Sequence, residues 1–550
     1  MRYTRRVTSS AQVGAVEIGG NAPIVIQSMT NVDTNDIEAA VAQIERLAEV
    51  GAALVRLTAQ GVKEAKSLAT IHSKVRSDGY DIPLSADIHF NPKVAFEAAK
   101  YVEKVRINPG NFYDPARKFQ HLDYTQESYQ TEVQALQDSF ATFLEHLRSH
   151  NTALRIGVNH GSLSDRIMSR YGDTPEGMVE SCMEFLEVCQ AKNFHDVVLS
   201  LKSSNPIVMV ETVRLLVARM DQKDMHYPLH LGVTEAGNGE DGRIKSAVGI
   251  GTLLAEGLGD TIRVSLSEEP EAEIPVARDL VQCVEALSKS KPLDLEFHKQ
   301  GTPYRSTEKP LVVMDRSPLF NQLNEAERPD IQVDTLTDFE VINDVKALQK
   351  QSFSTQDNKP LLVQLTNAYA PTLMLQALDE VMTVPYILEV DCSGIPEETL
   401  PVWLGFQLGG ALMRGQLSGL YLHSNSCDPL TLNSIAFGLL QASRRRISRT
   451  EFISCPGCGR TLFNLQSTVA KIKAATQHLR GLKIGVMGCI VNGPGEMADA
   501  DYGYVGSAPG KVDLYKQKER IRRGVPQEEA VGALIQLIKE NGDWKEPDTI

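Results

Sequence analysis

PIVIQSMTNVDTNDIEAAVAQIERLAEVGAALVRLT, running from Pro23 to Thr58, holds the pattern that decides the fold. An apolar run (Ile24 to Thr30) ends in polar residues, a helix-like stretch follows, and a second apolar run (Ala53 to Thr58) carries Arg56 near its end. The unit recurs downstream as PLSADIH (Pro83 to His89), KVRIN (Lys104 to Asn108), LRIGVN (Leu154 to Asn159), DVVLSLK (Asp196 to Lys202), PLHLGVTE (Pro228 to Glu235) and TIRVSLS (Thr261 to Ser267). Near-continuous apolar strands alternating with helices indicate a parallel sheet covered on both faces. Eight such units in about 250 residues predict a TIM (β/α)8 barrel, whose active site lies at the C-terminal ends of its strands. An open doubly wound sheet is the alternative, but it seldom needs eight consecutive units.

The strand tips carry the chemistry. They present Arg56, Arg106, Arg155, Lys202 and Arg263, with Asp87, His89, Asn108, Asn159, Glu235 and Ser265 among them. Any one of these cations could simply pair with a neighbouring carboxylate. Five at equivalent positions point instead to an anionic ligand, and the planar arginine fork suits phosphate oxygens. Glu235 is the carboxylate set among them at a strand tip, a candidate proton donor or acceptor or else a partner that orients the arginines. The loops GVNHGSLSDR (Gly157 to Arg166) and VTEAGNGEDGRIKSAVGIG (Val233 to Gly251) are glycine-rich, so their amides could face anions.

With 550 residues the chain exceeds a single compact core, and its 42% hydrophobic and 23% charged residues exclude disorder as a class. The net charge of −14 argues against a general nucleic-acid binder. Eight cysteines at this length suggest a reducing compartment rather than a disulfide framework. No apolar run is long enough to span a membrane, and MRYTRRVTSS has no signal-like apolar stretch, so a cytoplasmic location is expected.

Residues 289–449 hold a second series of strand-like runs: LVVMD (Leu311 to Asp315), IQVDTL (Ile331 to Leu336), LLVQLT (Leu361 to Thr366), YILEVD (Tyr386 to Asp391) and GLYLHS (Gly419 to Ser424). They predict an inserted α/β domain resembling a degenerate barrel, reached through the aperiodic linker SKSKPLDLEFHKQGTPYRSTEKP. Its tips lack the arginine set, and Cys392 and Cys427 read as buried small hydrophobes, so the segment is expected to act as a spacer. The organisation is therefore 1–288 barrel, 289–449 inserted domain and 450–550 cysteine-bearing α+β domain.

In that last part, CPGC (Cys455 to Cys458) leads into a helix-like run (Leu462 to Leu479), and KIGVMGC looks like a strand ending at Cys489. A lone CxxC also serves zinc sites and thiol–disulfide pairs. No second CxxC or HxxxH accompanies it to complete a zinc site. The GCIVNGPGE loop would let backbone amides approach cluster sulfides, so an iron–sulfur cluster is the favoured reading. Three cysteines leave one ligand short, and Glu496 is the nearest carboxylate able to supply it, or else a solvated loop residue.

The stretches PIVIQSMTN, ADIHF, VRINPGN, RIGVNHGSL, SLKSSN, GVTEAG, GRIKSAVGIGTLLAEGLGDTIRVSL, CPGCGRTLF and GCIVNGPGE, in this order, resemble the 4-hydroxy-3-methylbut-2-enyl diphosphate synthases of the non-mevalonate isoprenoid pathway. The 160-odd residues between barrel and cysteine domain resemble the three-domain, plant-type large form, which also occurs in some bacteria. The resemblance implies a two-electron reductive opening of 2-C-methyl-D-erythritol 2,4-cyclodiphosphate with loss of water. It implies a [4Fe–4S] cluster on Cys455, Cys458, Cys489 and a replaceable Glu496. Substrate contacts would fall on Arg56, His89, Arg106, Arg155, Asn159, Lys202, Arg263 and Ser265, with Glu235 as proton donor. It further implies ferredoxin or flavodoxin as electron donor, and a monomer or homodimer whose cluster domain closes over a barrel within one chain or across a dimer.

Overall fold

The computed structural model describes residues 1–550 except 89–90, 115–121, 294–301, 319, 344–358, 366–369, 491–492 and 548–550. The chain opens with an antiparallel hairpin, β1 (Ser10–Val13) and β2 (Val16–Gly19). Eight parallel strands follow: β3 (Val25–Met29), β4 (Leu54–Ala59), β5 (Leu84–Ile88), β6 (Lys104–Ile107), β7 (Ala153–Asn159), β8 (Val197–Lys202), β9 (His230–Leu231) and β10 (Thr261–Ile262). They pair in the order β8-β7-β6-β5-β4-β3-β10-β9, and a parallel bridge between Leu199 and Leu229 joins the two ends. The sheet thus closes into the TIM barrel that the alternating pattern predicts. The runs from Pro228 and Thr261 are legible in sequence, but each pairs as strand over only two residues.

The barrel's N-terminal end is plugged. Ala11, Val13 and Ile18 of the hairpin pack on Val25, Leu54, Ala153 and Val198, which stand at the starts of their strands. A substrate can therefore enter only at the opposite mouth, where the charged tips lie.

Among the described residues the inserted region forms a six-stranded parallel sheet: β11 (Leu311–Asp315), β12 (Ile331–Val333), β13 (Glu340–Ile342), β14 (Leu361–Gln364), β15 (Ile387–Asp391) and β16 (Gly419–His423), in the order β12-β11-β16-β15-β14-β13. Successive strands are neighbours and the last returns to the first, with one break between β12 and β13. This is barrel order with an open seam. Cys392 and Cys427 are buried free thiols, and burial pushes the Cys392 thiol up to about 12.

This region is tightly docked on the barrel. Its helix Leu400–Met413 lies along the barrel helix Gly239–Ala255, and both bury nearly every face. A helix covered on one side only would show an apolar stripe; these two are sandwiched and show none. Contact is close because the facing positions are small: a Cβ on Gly405 would meet the Ala247 Cβ at 2.6 Å, and one on Gly251 the Phe406 Cα at 2.8 Å. Phe406 and Val402 accordingly belong to the barrel's own core.

The C-terminal part is a five-stranded mixed sheet: β17 (Glu451–Ser454), β18 (Lys483–Met487), β19 (Tyr502–Ala508), β20 (Lys511–Lys516) and β21 (Glu519–Pro526), paired in sequence order. The first three strands run parallel and the last two antiparallel. Helices Leu465–Thr476 and Gln527–Glu540 complete an α+β unit with its own apolar core.

Candidate active site

Strand register builds the cationic mouth. Asp87 on β5 stands beside Arg106 on β6, which stands beside Arg155 on β7. Arg106 Nη1 donates to Asp87 Oδ1 at 3.0 Å and its Nη2 to the Gly157 carbonyl at 2.8 Å. Arg56 donates to the Met29 sulfur at 2.9 Å and lies 3.9 Å from Asp87. Arg263 is held by Glu273 through two contacts of 2.9 and 3.2 Å. Arg155 donates to Ser200 Oγ at 2.8 Å while its Nη1 has no hydrogen-bond partner among the described residues, and among these Lys202 Nζ meets His230 Nε2 at 3.4 Å.

All five cations are buried or nearly so. Burial, only partly offset by Asp87 and reinforced by Arg263 and Arg106, lowers the Arg56 guanidinium to about 10. Burial and the neighbouring Arg56 push Arg155 well below the ordinary arginine value, and burial with Arg155 and Arg56 does the same to Lys202. Beneath them Lys104 Nζ is fully buried and unpartnered, and burial and Arg155 depress it too. The mouth thus holds more buried positive charge than Asp87 and Glu273 can balance. Such a site is costly to leave without an anion.

Over this mouth lies the cysteine-bearing segment of the same chain. One cleft of about 680 Å³ is lined by Arg56, Arg106, Arg155, Asn159, Lys202, Glu235, Arg263 and Ser265 from the barrel, and by Cys455, Cys458, Cys489, Arg460 and Glu496 from the C-terminal part. Backbone contacts stitch the two together. Ala236 bridges Ser454 in parallel register, and Ser267 Oγ donates to the carbonyls of Ser454 at 3.0 Å and Cys455 at 2.9 Å. Gly161, at φ +78°, abuts Gly495 so closely that a Cβ on it would meet the Gly495 carbonyl oxygen at 2.1 Å. Only glycine fits that approach.

Asn159 Nδ2 donates to Glu496 Oε1 at 3.0 Å across this junction. Glu235 also shares a hydrogen bond with Glu496; burial first, then the Glu496 charge, raises the Glu235 carboxyl well above the ordinary value. Glu235 sits at φ +48°, a strained backbone for a residue other than glycine, asparagine or aspartate. Its side chain lines the cleft.

The three cysteines are free thiols. The Gly488 amide donates to Cys455 Sγ at 3.2 Å, and Arg460 Nε to Cys458 Sγ at 3.2 Å. Burial opposes charge on Arg460, yet Cys458, Asp87 and Cys489 hold it above the ordinary arginine value. Among the described residues no three His, Cys, Asp or Glu side chains form a group placed to hold a metal ion. A cluster of several irons spaces its ligands more widely, and three thiols with one carboxylate around a common cleft fit that donor set.

The structure brings together every barrel residue expected at the site except two. His89 lies outside the described residues, and Asn108 instead caps the turn Pro109–Phe112 by accepting from the Gly110 amide at 3.1 Å. Arg460 and Met29 are additions. A cation two residues after Cys458 in CPGCGR is the signal that marks Arg460.

Residues 8–278 match the family model described as the GcpE TIM-barrel domain, and residues 451–540 the one described as the GcpE protein C-terminal domain. Proteins named 4-hydroxy-3-methylbut-2-en-1-yl diphosphate synthase (flavodoxin) are similar along the whole chain. That of Bacteroides fragilis is 50% identical, covering 99% of this chain and 97% of its own. That of Porphyromonas gingivalis is 49% identical over 99% of both, and that of Akkermansia muciniphila 42% identical over 99% and 98%. Such coverage includes the inserted region, so these relatives share the large form. With a barrel, a C-terminal domain and a full-length likeness all in agreement, the chain belongs to the GcpE family.

Proposed function

We propose that this chain reductively opens 2-C-methyl-D-erythritol 2,4-cyclodiphosphate to (E)-4-hydroxy-3-methylbut-2-enyl diphosphate, with a [4Fe–4S] cluster on Cys455, Cys458, Cys489 and Glu496 and electrons from a flavodoxin. The observation that carries the reading is the surplus of buried cations at the barrel mouth, facing three thiols and a carboxylate across one cleft. The relatives' names supply the diphosphate product and the flavodoxin.

Two electrons and one proton enter, one ring C–O bond breaks to free a phosphate oxygen, and one hydroxyl leaves as water. When bound, the cluster supplies the electrons one at a time. Arg56, Arg106, Arg155, Lys202 and Arg263 hold the diphosphate and neutralise the charge that opening places on the freed oxygen. Ser265 and Asn159 orient the ligand from the cleft wall. Glu235, whose carboxyl is raised well above its ordinary value by burial, is placed to donate to the departing hydroxyl. The closed contacts around Ser267 and Gly161 keep water from the reacting atoms. The proposed division into a substrate barrel (1–288), an inserted domain (289–449) and a cluster domain (450–550) assigns each role to one unit.

Anaerobic reconstitution with iron and sulfide tests this reading. The expected result is about four irons per chain, a visible chromophore perturbed by the cyclic diphosphate, and turnover under reduced flavodoxin or reduced methyl viologen. Glu496→Ala should lower iron retention and alter the spectrum. Iron binding without a spectral response to substrate, and without product under either reductant, would overturn it.

A further inference from the structure

Within an acidic protein, one segment is strongly basic. Lys511 to Arg523 carries six basic residues (Lys511, Lys516, Lys518, Arg520, Arg522 and Arg523) and two acidic ones, against a net charge of −14 for the whole chain. These residues form β20, β21 and their turn, and β21 is the edge strand of the C-terminal sheet. Most of its side chains are exposed, with Ile521 42% exposed at its centre. Asp513 engages Arg520 at 3.0 Å and Glu540 engages Arg522 at 2.8 Å, whereas Lys511, Lys518 and Arg523 form no ion pair with another described residue.

Charged edge strands commonly guard a sheet against aggregation. Guarding requires charge, but not charge of one sign. Position supplies the second argument. β17 and β18 end at Cys455 and Cys489, and β19 runs parallel to them. β20 returns antiparallel with Lys511 opposite Ala508, and β21 again runs toward the cysteine end, placing Val525 opposite Val512. The Gly488 carbonyl oxygen lies 2.4 Å from where a Cβ on Gly506 would sit, so the Cys489 turn abuts the end of β19. Ile490, next to Cys489, is 45% exposed. Three strand spacings, about 14 Å, separate β18 from β21. Lys511 therefore stands at the end of the sheet that bears the cysteines, while Arg520, Lys516 and the turn carrying Lys518 extend the basic edge to its other end.

We infer that this edge, Lys511 to Arg523, is the docking surface for an acidic flavin-carrying protein that delivers electrons one at a time. The inference rests on the electron source given under Proposed function and adds where it binds. Each encounter oxidises the carrier's flavin hydroquinone anion to the neutral semiquinone and passes one electron to the cluster domain, so two encounters serve one turnover. Like-signed charge steers an oppositely charged partner and raises its on-rate in a salt-dependent way. An edge about 20 Å long, with an apolar residue between cations, matches the footprint of a small transient partner.

The test is charge reversal in the reconstituted full chain: Lys511→Glu, Lys518→Glu and Arg523→Glu together, beside a control with Lys100→Glu, Lys192→Glu and Lys223→Glu at helix ends on the closed side of the barrel. The edge variant should weaken flavodoxin binding, measured by titration without turnover, and raise the KM for flavodoxin roughly ten-fold or more at low salt. It should flatten the salt dependence and leave the methyl viologen-driven rate and iron content unchanged, while the control keeps wild-type flavodoxin kinetics. Unchanged flavodoxin binding in the edge variant, equal weakening in the control, or tighter binding of duplex DNA than of flavodoxin to the wild-type edge would overturn the assignment. Because binding is read without turnover, failure of the proposed reaction would appear separately, as loss of viologen-driven product in the wild type.

Discussion

Two arginines at the barrel mouth show how differently similar residues are used. Arg263 forms a buried two-point pair with both oxygens of Glu273, whose Oε2 also accepts from Ser28 at 2.7 Å. Removing it strands a buried carboxylate, so Arg263→Ala is expected to cost about 3–5 kcal/mol and to lower Tm sharply. Arg56 shares Asp87 with Arg106, and its neighbours Arg263 and Arg106 repel it. Arg56→Ala leaves Asp87 paired and relieves repulsion. Its ligand-free Tm should stay unchanged or rise, while loss of a charged hydrogen bond, about 1.5–3 kcal/mol, should raise the substrate KM roughly 10- to 150-fold. Thermal melts without ligand and viologen-driven kinetics separate the two.

At the level of elements, the helix pair Leu400–Met413 and Gly239–Ala255 fixes the inserted region against the barrel. The neighbour facing Gly405 is the rigid Ala247 Cβ at 2.6 Å, so Gly405→Leu must push the helices apart. A loss of about 1–3 kcal/mol is expected. Gly532 offers the contrast, since it lies in the helix Gln527–Glu540 with nothing within 4 Å of an added Cβ. There Gly532→Ala should stabilise by about 0.5–1 kcal/mol through helix propensity and reduced unfolded-state entropy. Chemical denaturation of the two variants gives both signs. The barrel strands, most strands of the inserted sheet and β18 are legible from apolar runs and their ends, whereas β19, β20 and β21 are not read from the sequence. Nor are the hairpin β1–β2 and the three-residue β13, because so short a segment carries too little periodicity to register.

At the scale of the molecule, the cysteine-bearing segment closes on the barrel of its own chain. A mixture of Glu235→Gln and Cys455→Ser chains should then show no activity above the sum of its parts; substantial rescue would mean that sites are completed between subunits. One tie across this junction is the buried pair Lys245–Glu451, at 3.1 Å, joined by Arg444. Burial works against it, yet Lys245 and Arg444 hold the Glu451 carboxyl below its ordinary value of 4.5. A depressed folded-state value means the pair stabilises the fold above the unfolded value and fails as pH falls through the folded one. The Tm difference between wild type and Glu451→Gln should be constant above about pH 4.5 and close progressively below it.

The sequence alone determined the alternation of strands and helices, the cations at the strand tips, and the CPGC and GCIVNGPGE turns. Each of these is local, set by side-chain period, charge at a fixed position, or glycine where backbone must approach. Only the tertiary structure decided that Asn159 and Glu496, 337 residues apart, share a hydrogen bond, that Glu235 leans on the same carboxylate, and that Arg460 spans the thiols and Asp87. Those pairings join the barrel directly to the C-terminal part, with the inserted region docked on the barrel between them in sequence. That docking comes from small residues on two helices meeting face to face, and neither helix bears a local mark of the partner it packs against.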